Sequence, residues 1–551
     1  MRSWLVLLCC WLLVGVSGRA AAGTPPSFEA EVRAQARQEP KETGRALLRF
    51  YEAREFQPAW FSEDGRARLR AHEYLDALGN AEAEGLSPER YHRSELDSAL
   101  QALEQGDSGE DAWRRVELRL TSSFLTYASH LASGQVSSRR VRWQLGRPEP
   151  VDLPAVLEGA LASGDLAGTL RSLSPRMEGF VRLREALARY RAIAATGGWP
   201  LVPRGALLAP GALGPRVAVL RERLRVTGDL APAPTRTGPP GVGTEAAEDF
   251  FDAELETAVR HFQQRHGLEV DGKVGRDTLA ALRVPVEARI TQLRVNLERW
   301  RWLPDELEPL HVAVNLPAFE LVAVAEGRAV LWMPVVIGRQ DWSTPVFTAR
   351  LQSLVLNPSW HVPRDITAEE VLPRLQEDPG AAERLGLTVL DRATGVEVAP
   401  WTVDWRGLGD GALPYRFMQL PGASNPMGSI KFVLPNPHGI YLHGTPEPSL
   451  FTQVSRVFSH GCIRVAEPLL LADFLLRGHG GWTLEALAAT GASGMPLRGD
   501  LRVELPEPVP VYLLYWTAFM GPAGQVEFRP DIYGRDREVR RALPASDRRA
   551  R

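Results

Sequence analysis

A single thiol placed among histidines is the part of this 551-residue sequence best suited to covalent chemistry. Of its three cysteines, Cys9 and Cys10 lie in an N-terminal apolar run, which leaves Cys462 alone in Ser459-His460-Gly461-Cys462-Ile463-Arg464. A cysteine nucleophile needs a base near its sulfur and a group that orients the base. His460 is two residues away, near the thiol but not necessarily aimed at it. His443, in Tyr441-Leu442-His443-Gly444-Thr445, comes from a separate segment, the usual way in which nucleophile and base converge. Residue types alone leave three readings open: a nucleophile, a zinc ligand together with His443, His460 and His438, or a small buried apolar side chain. The zinc reading lacks Cys-x-x-Cys or His-x-x-x-His spacing. The polar run around the cysteine speaks against burial as the default.

These residues must be carried by strands. From about residue 305 the apolar positions alternate, as in His311-Val312-Ala313-Val314-Asn315-Leu316, Ala329-Val330-Leu331-Trp332-Met333-Pro334-Val335-Val336-Ile337 and Gly439-Ile440-Tyr441-Leu442, which predicts a β-rich domain over 305–535. The apolar alternation near Pro508-Val509-Pro510-Val511-Tyr512 predicts a closing strand. Between residues 359 and 427 the alternation stops among Pro- and Gly-rich turns, with a helix-prone stretch at 367–375. So long an insertion inside a β domain points to a lid.

Upstream the pattern is helical. Residues 27–200 recur at helical spacing, as in Ala71-His72-Glu73-Tyr74-Leu75-Asp76-Ala77-Leu78, and cluster no nucleophile, base or metal ligands, so a scaffold domain is expected there. Residues 197–214 read as a linker and 230–244 as a mobile loop. Within 211–284, Phe262-Gln263-Gln264-Arg265-His266-Gly267-Leu268 and Asp271-Gly272-Lys273-Val274-Gly275 resemble the small three-helix peptidoglycan-binding domain of bacterial wall enzymes.

Met1-Arg2-Ser3-Trp4, the apolar run 5–16 and Ala20-Ala21-Ala22 predict an export signal over residues 1–22; an uncleaved signal would instead anchor the N-terminus. Lys plus Arg number 64 against 67 for Asp plus Glu, a net charge of −3, which gives no electrostatic case for nucleic acid. The basic end, 536–551, is expected to be a solvated tail.

Tyr441-Leu442-His443-Gly444-Thr445-Pro446 followed by Phe458-Ser459-His460-Gly461-Cys462-Ile463-Arg464-Val465 resembles the active-site signature of the YkuD-type L,D-transpeptidases. Asn357-Pro358-Ser359-Trp360-His361-Val362-Pro363 and Asn425-Pro426-Met427-Gly428-Ser429-Ile430-Lys431-Phe432 resemble the large, periplasmic YcbB-like branch. The resemblance implies a multidomain α+β protein: a helical scaffold, a peptidoglycan-binding domain and a β-rich catalytic domain with a capping subdomain at 359–427. It implies Cys462 as nucleophile, His443 as base oriented by a backbone carbonyl such as that of Gly444, and the Gly461 and Cys462 amides as oxyanion donors, with His460 polarising the site or bonding locally. Arg464, Trp360, Tyr441, Thr445 and Ser459 are the implied substrate contacts, an ion pair being the alternative for Arg464. The implied activity is 3→3 cross-linking of peptidoglycan stem peptides through a cysteinyl thioester, with no metal or organic cofactor. Hydrolysis by the same thiol and a non-catalytic wall-binding scaffold are the alternatives. Carbapenems as covalent inhibitors, a periplasmic location and other wall-synthesis proteins as scaffold partners are further implications.

Overall fold

The computed structural model describes residues 27–543 apart from 64, 107–110, 142, 145–149, 232–247, 410–412 and 493–499. The expected export signal, most of the expected loop at 230–244 and the end of the basic tail therefore lie outside the described residues. Among the described residues, no helix is long and apolar enough to cross a membrane.

Four apolar cores organise the chain. The first gathers Leu47, Phe50, Tyr74 and Phe124 from helices within residues 28–172, and Trp60 from the connection between two of them. Its buried anchor is Glu117, whose carboxylate accepts the Tyr51 hydroxyl and the amides of Ala59, Trp60 and Phe61, so that a charge inside the core is fully bonded. The last helix of the expected scaffold region, Glu178–Ala195, departs from this arrangement. It buries Phe180, Leu183, Leu187 and Tyr190 in the core of the β domain, packed beside the helix Val286–Trp300.

The second core belongs to three helices, Pro215–Thr227, Ala253–Arg265 and Arg276–Leu282. Here the motif residues are structural. The Gln263 amide donates to Asp271 Oδ1 at 2.8 Å and to the Lys273 carbonyl at 2.9 Å, while its oxygen accepts Gly272 N–H at 2.8 Å, which pins the Asp-Gly turn. His266 stacks on Phe262 with ring centroids 3.8 Å apart. Val202 and Leu208, expected in a linker, are buried in this core, because apolar side chains at the end of a connector gain more from burial than from mobility.

The β domain is built on β1 (His311–Asn315), β2 (Glu320–Ala325), β3 (Arg328–Gly338), β4 (Thr348–Leu356), β5 (Trp360–His361), β6 (Thr388–Asp391), β7 (Tyr415–Gln419), β8 (Ile430–Val433), β9 (Leu442–His443), β10 (Val457–Ser459), β11 (Ile463–Val465) and β12 (Leu501–Leu514). The main sheet runs β10-β3-β11-β9-β8-β4-β12-β1-β2, and a β2–β3 pairing closes it on itself. Closure pairs the strands from β3 round to β2 on both sides, with β10 attached to β3 alone, and sets their inner faces around one core.

The insertion is the connection between β4 and β8, which pair antiparallel with Leu356 opposite Ile430. It has its own sheet, β5-β7-β6, and its own core of Val371, Leu372, Leu375, Trp405 and Phe417. Its two ends meet. Asn357 N–H donates to the Ser429 carbonyl at 2.8 Å, and buried Asn425 donates to the Pro358 carbonyl at 3.0 Å and accepts Met427 N–H at 2.8 Å.

The expected solvated tail is corrected at its start: Arg535–Ala542 is a helix with Val539 fully buried. Asp536 accepts from Arg299 at 2.5 Å and from the Thr517 hydroxyl at 2.7 Å, and Arg535 donates to the Thr344 carbonyl at 2.8 Å. Net basic composition hid one acid whose buried partner lies 237 residues upstream.

Candidate active site

Strand register brings the chemistry-bearing residues onto one face. β9 lies between β8 and β11, and His443 is the Cα partner of Lys431 on one side and of Arg464 on the other. In the adjoining row Phe432, Leu442 and Ile463 are fully buried in the core. Because side chains alternate along a strand, Lys431, His443 and Arg464 face the opposite way, and Cys462, one residue before Ile463, shares their face. The Ile463 amide bonds the Tyr441 carbonyl at 3.1 Å, so the thiol enters beside Tyr441.

The turn that presents the thiol is fastened from below. Ser459 Oγ donates to the Cys462 carbonyl at 2.5 Å and accepts Gly461 N–H at 3.2 Å. Thr344, fully buried, donates to the Gly461 carbonyl at 2.8 Å and accepts Gly338 N–H at 2.9 Å. Gly461 adopts φ +105°, and a Cβ there would stand 3.3 Å from Ile440 Cδ1. A side chain at 461 would thus combine backbone strain with crowding. Cys462 N–H has no acceptor among the described residues, whereas Gly461 N–H is engaged; of the two expected oxyanion donors only Cys462 N–H is free.

Cys462 Sγ donates to the Gly439 carbonyl at 3.8 Å, and no hydrogen bond joins it to His443 among the described residues. Burial pushes the thiol up; the amide and hydroxyl of Tyr441, then Lys431 and Arg464, oppose that shift. Burial, helped by the Arg464 guanidinium, takes His443 down to about 3, against the opposing pull of the Gly444 carbonyl. His443 is 6% exposed, and its Nδ1 is buried without a hydrogen bond of good geometry. Burial thus disfavours the charged form of both the thiol and the imidazole. Gly444 lies against Gly428, where a Cβ would come within 2.5 Å of Thr445 N, so the 425–429 segment presses on the strand that carries the imidazole.

The other expected residues divide. Tyr441 lies beside His443, ring centroids 5.6 Å apart, with Lys431 Nζ 4.2 Å from its ring centroid. Arg464 pairs with Glu447 at 2.7 Å, the alternative its sequence context allowed, and approaches Thr445 Oγ1 at 3.5 Å. Thr445 Oγ1 also accepts Glu447 N–H at 3.2 Å. Two expected substrate contacts are otherwise employed: the Ser459 hydroxyl is used up inside the turn, and Trp360 packs on the core of the insertion from a strand paired with Gln419. A hydroxyl next to a positive-φ glycine finds backbone partners locally, and an indole at the root of a subdomain finds that subdomain's core.

His460 is engaged by the insertion. Its Nε2 lies 2.6 Å from Glu370 Oε1, and its ring meets Trp342 edge-on at 5.1 Å. Glu370 sits in the insertion, on a π-helical turn, Thr367–Val371, and also takes Arg339 at 3.4 Å. Burial raises the Glu370 carboxyl, but His460 and Arg339 outweigh it and hold the group below its ordinary range. Glu370 and Lys431 are the residues that sequence reasoning passed over. Lys431 had a signal, a lone cation in the alternating run Ile430-Lys431-Phe432; Glu370, 90 residues from its partner, had none. No group of three or more His, Cys, Asp or Glu side chains that could hold a metal is present among the described residues.

Comparison with known proteins finds three family matches. Residues 309–487 match the YkuD L,D-transpeptidase catalytic domain, 214–282 the "Putative peptidoglycan binding domain" and 45–187 the "Scaffold domain". A curated relative, "Putative L,D-transpeptidase" of Haemophilus influenzae, is 35% identical over 260 residues, 46% of this chain and 50% of that protein. The chain thus spans half the length of that relative. Among solved structures, an L,D-transpeptidase of Xylanimonas cellulosilytica is 17% identical, covering 56% of this chain and 98% of its own, with a TM-score of 0.17. One of Stackebrandtia nassauensis is 13% identical, covering 57% and 96%, with a TM-score of 0.20. At scores this low the two structures carry no weight, and the fold rests on the family matches and the chain's own topology.

Proposed function

We propose, from a chain that carries an L,D-transpeptidase catalytic domain over residues 309–487, that the protein cross-links peptidoglycan stem peptides by acyl transfer through Cys462. The supporting observation is the register that sets Cys462 and His443 on one face of adjacent parallel strands, above a fastened turn. His443 takes the thiol proton as sulfur attacks the carbonyl at the L-centre of the third stem residue, and Cys462 N–H receives the developing oxyanion. The carbon–nitrogen bond breaks, the terminal D-amino acid leaves with a proton from His443, and a thioester remains. An amine of a second stem attacks that thioester, forming the 3→3 amide and restoring the thiol. The three-helix domain at 214–282 and the scaffold domain at 45–187 fit an enzyme working at the wall, outside the cytoplasm.

Incubation with tetrapeptide-bearing muropeptides and mass spectrometry of the products tests this reading. Cross-linked dimers are expected; shortened monomers alone would make the protein a hydrolase, and no turnover would leave it a binding module.

The insertion serves as a cap held through Glu370. Glu370→Ala removes the bond to His460 and should lower donor acylation several-fold and raise the share of hydrolysed over cross-linked product, since a looser cap admits water. Glu370→Gln, which keeps one hydrogen bond, should fall between. Unchanged rate and product ratio in a folded Glu370→Ala protein would make the contact ornamental.

A further inference from the structure

Among the described residues the row of strand partners that holds His443 carries three cations, Arg502, Lys431 and Arg464, and they differ in one respect: Arg502 pairs with Glu504 at 2.6 Å. Arg464 is neutralised by Glu447 at 2.7 Å. Lys431 forms no ion pair among the described residues, although it is half-buried and stands 4.2 Å from the ring centroid of Tyr441, the side chain that flanks the thiol. Besides the thiol of Cys462, which is the first charge partner acting on it when ionised, Asp500 and Arg502 act on it with opposite sign, and Asp500 Oδ1 accepts Ser359 N–H at 2.7 Å. An ammonium drawn partly out of water gains from a π face but remains short of an anion. That position is maintained by the register of β8 on β9, which aligns Lys431 with His443 and turns its neighbours Ile430 and Phe432 into the core. The cation is therefore built into the sheet rather than left on a loop.

The missing anion has a natural source in the chemistry. If the thiol attacks the carbonyl that precedes the last residue of a donor stem, the free carboxylate of that last residue lies about one residue length, roughly 3.8 Å, beyond the reacting carbon. Lys431 is the cation on the thiol's side of the sheet without a carboxylate of its own. We infer that Lys431 binds the C-terminal carboxylate of the donor's leaving residue, so that the enzyme selects stems with a single residue beyond the bond to be broken. This rests on the acyl-transfer reading for the identity of the donor, but the recognition itself is a binding event and can be measured without turnover.

Two donors decide it, a stem tetrapeptide with a free C-terminus and the same peptide as its C-terminal amide. In a Cys462→Ala background the acid should bind about 10- to 100-fold more tightly than the amide, the range expected for a partly buried charge pair losing one partner. Adding Lys431→Met should abolish that preference by weakening the acid alone, and Lys431→Arg should restore part of it. With the thiol present, single-turnover acylation should show the same collapse of the acid-to-amide ratio in Lys431→Met. A ratio that survives Lys431→Met, or a loss shared equally by both peptides in folded protein, overturns the assignment and leaves Lys431 as a thiolate-stabilising or packing residue. The two readings fail separately. Persisting discrimination with a turning-over parent sinks only the role of Lys431; Lys431-dependent discrimination with no acyl-enzyme in the parent sinks only the acyl-transfer reading.

Discussion

Cys462→Ala should yield a folded protein that forms neither acyl-enzyme nor cross-linked product. The thiol is partly buried, with the Gly439 carbonyl at 3.8 Å and the amide and hydroxyl of Tyr441 as its polar neighbours, so removing sulfur should cost only about 1 kcal/mol of stability. The turn above it is held by Ser459 and Thr344, not by the sulfur. Activity has no such reserve: loss of the nucleophile in comparable acyl-enzyme chemistry costs about 10⁶-fold. Intact-mass spectrometry with a carbapenem makes the measurement, since the drug's mass should add to the parent and not to the variant. Cross-linking by Cys462→Ala protein would end the proposed mechanism.

His443→Ala should lower donor acylation by about 10²–10⁴-fold, the usual worth of general-base assistance, while His460→Ala should cost much less because its imidazole is bonded to the cap. The pH dependence follows from a thiol raised by burial and an imidazole lowered to about 3. Burial disfavours charge on both groups, and in the proposed mechanism the neutral imidazole is the form that takes the thiol proton as sulfur attacks. Donor kcat/KM should therefore be flat near neutrality, without the acid limb around 6.5 that an unperturbed histidine base would impose. Stability carries the complementary sign. The folded state resists protonating His443 while the unfolded state accepts a proton near 6.5, so the contribution of this group is full above that value and is lost as pH falls from 6.5 toward 3. A limb near 6.5 that disappears in His443→Ala protein would show the imidazole to be solvated instead.

Much of this was legible because it is local or periodic. The run from Ile430 to Val433 alternates, and so do the residues of β1 to β4, so a β domain interrupted after residue 356 follows from period alone. The thiol and its separate histidine could be picked out because a lone cysteine beside Ser-His-Gly is rare in kind. What escaped depends on partners far apart in sequence. His460 meets Glu370 across 90 residues, and Arg299 meets Asp536 across 237. Such pairs have no period and leave no composition signal. Ser459 and Trp360 have local partners for a related reason: a hydroxyl or an indole near a site serves the nearest unsatisfied backbone or apolar surface first, and sequence shows the neighbourhood without showing that demand.

The place of β12 in the sheet sets an order of assembly. Residues 501–514 lie between β4 and β1, antiparallel to the first and parallel to the second, so the strands that flank the thiol face and those that begin the domain join on this side only through a strand synthesised after the thiol motif. A ribosome-bound chain that already contains Cys462 and His443 still lacks the strand that completes their scaffold. The nucleophile is therefore latent during synthesis, and a product ending at residue 500 should be unreactive toward a carbapenem although every residue of the thiol motif is present.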